Sequence, residues 1–279
     1  MKRKIVSDSS CDIKQMQGVD FVSVPLTIST DERSFVDDAT LDTNDMLDYL
    51  ANYQGRSYTA CPSVSSWMDS FEGADEVFAV TISSNVSGAY NAAMAARDLY
   101  LQSHPKTKIF VFDSLTTGPE QRLILEKIAE LMQAELPFEK ICAKVQEYSK
   151  HTRIFYALES MHNLVQNGRV NKLTATLAGI LGIRVLGTGS ETGTLQAVAK
   201  CRGEKKMIGT LLEQIRQAGY NGGKLCIAHV QNLKLANEVK AAIQKCYAQA
   251  KILVDTAGGL CSFYAERGGI LVGFECAGA

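Results

Sequence analysis

The chain of 279 residues has almost no net charge. Its 29 Lys and Arg nearly cancel 30 Asp and Glu, leaving −1. No overall field therefore draws nucleic acid or an anionic membrane surface. Long apolar runs are missing too. Those present are strand-length, too short to span a bilayer as a helix. The opening MKRKIVSDSSCD is basic but lacks the apolar segment of a secretory signal, so no signal peptide is expected. Histidine is scarce, with four residues (104, 151, 162 and 229) and no HxxxH or HxH spacing. The eight cysteines form no CxxC and no close pair. These absences argue against a metal site and a disulfide framework, and for reduced thiols in a cytoplasm.

Common catalytic and phosphate-binding fingerprints are also absent. There is no G-x-S-x-G, so a nucleophile elbow has no support. GTGSETG (187–193) misses G-x-G-x-x-G by one residue, and GYNGGKL lacks the spacing and the Ser/Thr of a P-loop. No internal repeat of solenoid length is visible.

What is present is an alternation of strand and helix signals. KIVSDSS opens with a short strand, and FVSVPLTIS (21–29) alternates as a single strand would. Helical patterns follow at 43–54 and 63–72. EVFAVTI (76–82) and KIFVFDS (108–114) are unbroken apolar runs, as in strands covered on both faces. A helix begins near Ser87, another spans about 119–134, and a third runs from Phe138 to Ser149. This alternation predicts a doubly wound parallel sheet. The second half differs. RIFYALES (153–160) and IRVLGTGSETGTLQAVAKC predict strands joined by Gly-rich turns. Helices are expected at 204–218 and 232–247, with strands at 224–230, 251–255 and 269–275. The expectation is an α/β chain of two domains, residues 1–152 and 153–279, the second with a mixed sheet.

Sites in such sheets gather at the carboxyl ends of strands. In the first half these ends are SDSSCD (7–12), YTACPS (58–63), TISSNVSG (81–88) and FDSLTTG (112–118). All are rich in hydroxyls. A helix N-terminus carries partial positive charge and unpaired N–H groups. With Ser or Thr hydroxyls beside it, it can hold a carboxylate or phosphate without a lysine. Ser87 is equally an ordinary N-cap. Asp8, Asp12, Asp37, Asp38 and Asp113 are explained by caps and turns. Arg169, just past a helix end at Gly168, reads as a dipole-pairing residue. Lys200, Arg202, Lys205 and Lys206 form a small solvated patch.

The chain resembles the DegV family of bacterial fatty-acid-binding proteins. The resemblance is carried by SDSSCD, VPLTI, FVDD (35–38), YTACPS, TISSNVSGAYNAA, FDS, QNGRV and KCRGEKK. It implies two α/β domains with a long-chain fatty acid between and within them. It further implies that Thr59 and Ser87 hold the carboxylate, with Ser84 and Gly88 in the same turn and Arg169 nearby. No cofactor or metal is implied. The implied partner is an ATP-dependent fatty-acid kinase, to which the carrier presents its acyl group. The family commonly carries His-x-Gly-Pro-Gly before the last helix. Here the stretch is VDTAGGLCSF (254–263), which puts Asp255 or Thr256 at the His position. An ionised Asp255 beside the carboxylate would repel it, so Asp255 is expected to face away, or Thr256 to supply a neutral donor. Two rival readings remain. A serine-dependent acyl hydrolase or phosphotransferase would use Ser84 or Ser87, but its turns contain no base. A sugar- or nucleotide-binding regulator would want more aromatics there.

Overall fold

A computed structural model of the chain describes residues 1–170 and 182–277. Its first sheet is parallel, in the order β2-β1-β6-β7. The strands are β1 (Arg3–Asp8), β2 (Asp20–Val24), β6 (Glu76–Thr81) and β7 (Lys108–Asp113). The apolar runs are unbroken because both faces are covered. Ile5, Phe78 and Val80 face Leu123, Ile124 and Ile128 of α4 (Gly118–Gln133) and Ile141 and Val145 of α5 (Phe138–Tyr148). Val6, Val77 and Ala79 face Trp67 and Phe71 of α2 (Val64–Phe71) and Ala93, Ala96 and Tyr100 of α3 (Ala89–Ser103). The alanines let α3 lie close to the sheet. Burial of side chains this size contributes about 1.5–3 kcal/mol each.

The second sheet is mixed, in the order β10-β9-β8-β13-β11-β12. It comprises β8 (Thr152–Leu158), β9 (Ile183–Gly189), β10 (Leu195–Arg202), β11 (Lys224–His229), β12 (Lys251–Thr256) and β13 (Ile270–Glu275). Only the β11–β12 pair is parallel. Helices α7 (Glu204–Gln217) and α8 (Leu233–Cys246) cover one face through Met207, Leu211, Ile215, Val239 and Ile243. On the other face lie α1 (Thr43–Asn52), α6 (His162–Gln166) and α9 (Gly259–Ala265), bringing Met46, Leu47, Leu164 and Phe263. The expected parallel and mixed sheets are therefore both present.

FVSVPLTIS is not one strand. Pro25 has no N–H for a ladder, and the chain leaves the parallel sheet after Val24. Residues Thr27–Ser29 (β3) enter a separate antiparallel sheet between β4 (Ser34–Val36) and β5 (Tyr58–Ala60). This small sheet packs Ile28 and Phe35 against the second sheet's core. It carries Thr59 into the middle of the molecule.

Candidate functional site

The turn after β6 is held by acids from its neighbours. Asp8 of β1 accepts the Ile82 N–H at 2.7 Å, and Asp113 of β7 accepts the Ser84 N–H at 3.1 Å. Asp8 is fully buried. Burial pushes its carboxyl up to about 6, against the lowering effect of bonds from Ser10, Ile82 and Gln121. The hydroxyl-rich turn thus needs no charge of its own. Its Ser87 lies one residue before the helix cap. The cap is Gly88, and the Ser87 Oγ accepts the Ala89 N–H at 3.3 Å. A side chain at 88 would crowd Cys61, whose Sγ lies 3.2 Å from the position of a Cβ. The YTACPS turn and the start of α3 are therefore pressed together.

A second approach comes from α9. Asp37 accepts the N–H groups of Gly259 and Leu260, both at 3.0 Å, and pairs with Lys14 at 2.7 Å. Asp12 accepts the Gly258 N–H at 2.8 Å. A Cβ at Gly258 or Gly259 would stand 2.8 Å from one of these carboxylate oxygens. The Gly-Gly pair is what allows two acids to seat the helix. Along α9, Leu260, Cys261, Tyr264 and Ala265 share one face, the i, i+1, i+4, i+5 stripe.

These elements enclose a cavity of about 360 Å³, within the usual range for small-molecule sites. Most of its wall is apolar, including Leu26, Ile82, Leu158, Leu164, Leu260 and Leu271. Its polar side chains include Thr59, Ser87, Tyr264 and Arg169. The hydroxyls of Thr59 and Tyr264 are 2.7 Å apart. Arg169 donates from Nε to the Val86 carbonyl at 2.9 Å and from Nη1 to the Asn167 carbonyl. That brings its guanidinium beside Ser87. Burial raises the Tyr264 phenol above its ordinary value, while the Thr59 bond and the Arg169 charge pull it down. Tyr264 remains a neutral donor at any ordinary pH.

Of the residues expected from the sequence, Thr59, Ser87, Gly88 and Arg169 all line this cavity. Ser84 does not. Its backbone is turned to Asp113, and Ser83 lines the cavity in its place. Asp255 and Thr256, expected at the position of the family histidine, also lie outside the cavity: Asp255 faces away, one of the two expected alternatives, and Thr256 supplies no donor there. They end β12, the edge strand. Asp255 is half exposed and accepts from Arg122 of α4 at 3.1 Å. Thr256 borders a separate cleft with His229 and Asn44. Tyr264 lines the cavity as well but is not among the residues expected from the sequence. Among the described residues, no cluster of three or more His, Cys, Asp or Glu suits a metal ion, and no helix is long and apolar enough to cross a membrane.

The family model "Uncharacterised protein, DegV family" matches residues 2–275. This chain belongs to the DegV family. A DegV domain-containing protein of Streptococcus pneumoniae is 41% identical, covering 99% of both chains. Two solved DegV-type structures superpose at a TM-score of 0.97. One is a DegV family protein of Eubacterium eligens loaded with heptadecanoic acid, 49% identical, covering 98% of this chain and 99% of that one. The other is the Streptococcus pneumoniae Fatty Acid Kinase (Fak) B3 protein loaded with linoleic acid, 41% identical, covering 99% of both chains.

Proposed function

We propose that this protein binds one long-chain fatty acid and carries it as the acyl-presenting partner of a fatty-acid kinase. The observation that carries the reading is an apolar cavity with neutral hydroxyls and one guanidinium on its wall. That combination suits a single carboxylate on a hydrophobic tail. In this reading Thr59, Ser87 and Tyr264 donate to the carboxylate from β5, the start of α3 and α9. Arg169 offsets its charge. Each charge-assisted bond contributes about 1.5–3 kcal/mol. The tail lies among Leu26, Leu164, Leu260 and Leu271, between a first domain ending near residue 152 and a second beginning near 153. Each buried methylene adds about 0.8 kcal/mol.

The fatty acids in the two DegV relatives support this reading. The kinase partnership is supported by the likeness to the Fak B3 protein. A cytoplasmic setting is part of the same proposal. The protein is a carrier in this view and the kinase is the catalyst. No histidine is among the described residues of the cavity wall, which leaves a serine hydrolase without its usual base.

Denaturing extraction and mass spectrometry of purified protein tests the binding. A stoichiometric long-chain fatty acid is expected. Protein that emerges empty and ignores added palmitate and oleate would end the reading. Acyl-phosphate formation with a purified kinase subunit and ATP tests the partnership separately.

A further inference from the structure

The apolar cavity has a neighbour. A second cavity, of about 690 Å³, lies against it and is the more polar of the two, with Glu120, Gln146, Thr152, Arg153 and Glu191 in its wall. The two share Leu115, Ile154 and Gly189. None of Thr59, Ser87, Tyr264 and Arg169 borders the second cavity. The shared residues therefore stand between the two cavities, apart from those four side chains. Gly189 brings no side chain to this boundary, and Ile154 is a buried residue of β8. Leu115 is 39% exposed and is not embedded in either core.

The backbone at Leu115 is unusual. Its φ is +53°, a left-handed conformation that a bulky side chain adopts only at a cost in stability. The surroundings impose it. Asp113 accepts the Leu115 N–H at 3.1 Å, and the Ser114 hydroxyl donates to the Thr81 carbonyl at 2.7 Å. A glycine would fit this conformation without strain. A leucine at such a position points to a role for its side chain.

We propose that Leu115 is the wall that sets how long an acyl chain the protein accepts. This rests on the fatty-acid reading above. With Leu115 in place, a chain that fills the apolar cavity meets isobutyl carbon and stops short of the polar one. Without it the two cavities merge, and extra methylenes find room beyond Ile154.

The test uses delipidated full-length protein titrated with saturated acids from lauric to behenic. Wild type, Leu115→Gly and Leu115→Ala are compared, with melting curves alongside. Leu115→Gly suits the backbone, so it keeps the fold even if the alanine variant does not. For wild type, affinity should rise about fourfold per methylene and then fall beyond a limiting length. Both variants should move that limit upward by two or more carbons. They should bind arachidic and behenic acid at least fivefold more tightly than wild type does, while lauric acid binding stays within twofold. Folded variants whose length profile superimposes on wild type would overturn the wall. Wild type that binds none of the acids would overturn the fatty-acid reading itself, and the wall with it.

Discussion

The Thr59 and Tyr264 hydroxyls meet at 2.7 Å although 205 residues separate them in sequence. One stands on a strand of the small sheet and the other on α9. Neither element is close to the other along the chain, so the pair reports how the cavity is assembled.

If both hydroxyls serve one carboxylate, removing either should weaken binding. Tyr264→Phe should reduce palmitate affinity about tenfold or more. Thr59→Val should do the same. The double variant should lose less than the sum, because the partners share one network. Calorimetric titration reads this. Strict additivity would place the carboxylate away from the pair.

Arg169 supplies the positive charge among the described polar side chains of the cavity wall. Arg169→Met should weaken fatty-acid binding about tenfold or more. It should also flatten the salt dependence, because a partly buried charge pair is still screened in part. A variant with wild-type affinity at every ionic strength would remove Arg169 from the site.

Stability should fall as pH rises towards neutrality. Burial, helped by the neighbouring Asp37 charge, pushes the Asp12 carboxyl up to about 7, and burial pushes Asp8 up to about 6. A carboxyl raised on folding keeps its proton longer in the folded state. It therefore favours folding at low pH, and that advantage is lost between about pH 4 and about pH 7. One Asp12 carboxylate oxygen is buried without a hydrogen-bond partner, so ionisation there is poorly compensated. Asp12→Asn keeps the acceptor for Gly258. It should raise the melting temperature at about pH 8 by roughly 4–8 °C and change it little near about pH 3. Identical pH profiles for variant and wild type would show that Asp12 stays ionised.

The tip between β9 and β10 is tied across the turns of the first sheet. Ser83 Oγ donates to the Gly193 carbonyl at 2.7 Å, and Asn85 Nδ2 to the Thr192 carbonyl at 2.6 Å. Gly193 has φ +75°, and a Cβ there would collide with the Ser83 hydroxyl and the Leu115 backbone. Ser83→Ala should speed release of a fluorescent fatty acid about threefold or more, and Gly193→Ala more strongly. Stopped-flow displacement by excess oleate would measure it. Unchanged release rates would show that the tip does not control exchange.

The regular elements were legible because their apolar periods are clean. Phe78 and Val80 alternate with Val77 and Ala79, and each set found a helix layer of its own. The small sheet was not legible. Its strands are three residues long, too short for a period, and the alternation of apolar residues runs on across Pro25, where the chain changes sheets. That Thr59 and Ser87 would share one cavity was legible from their turns and from family resemblance, and that Arg169 would join them from the resemblance alone. Tyr264 was not, because its role depends on α9 being seated by Asp12 and Asp37, which lie more than 200 residues away in sequence. Asp255 was matched by motif position, but its direction is set by Arg122 and the edge strand, neither of which a motif records.

Gly273 of β13 lies so close to the start of α4 that a Cβ would run into the backbone of Pro119 and Glu120. The helix that covers the parallel sheet is thus seated directly on the mixed one, with no side-chain layer between them to slide. A clamshell has a soft spine, and this molecule has a weld there. If lipid exchange lifts the rim and leaves the spine shut, a crosslink between α4 and β13 should leave exchange untouched while one at the Gly193 tip should abolish it.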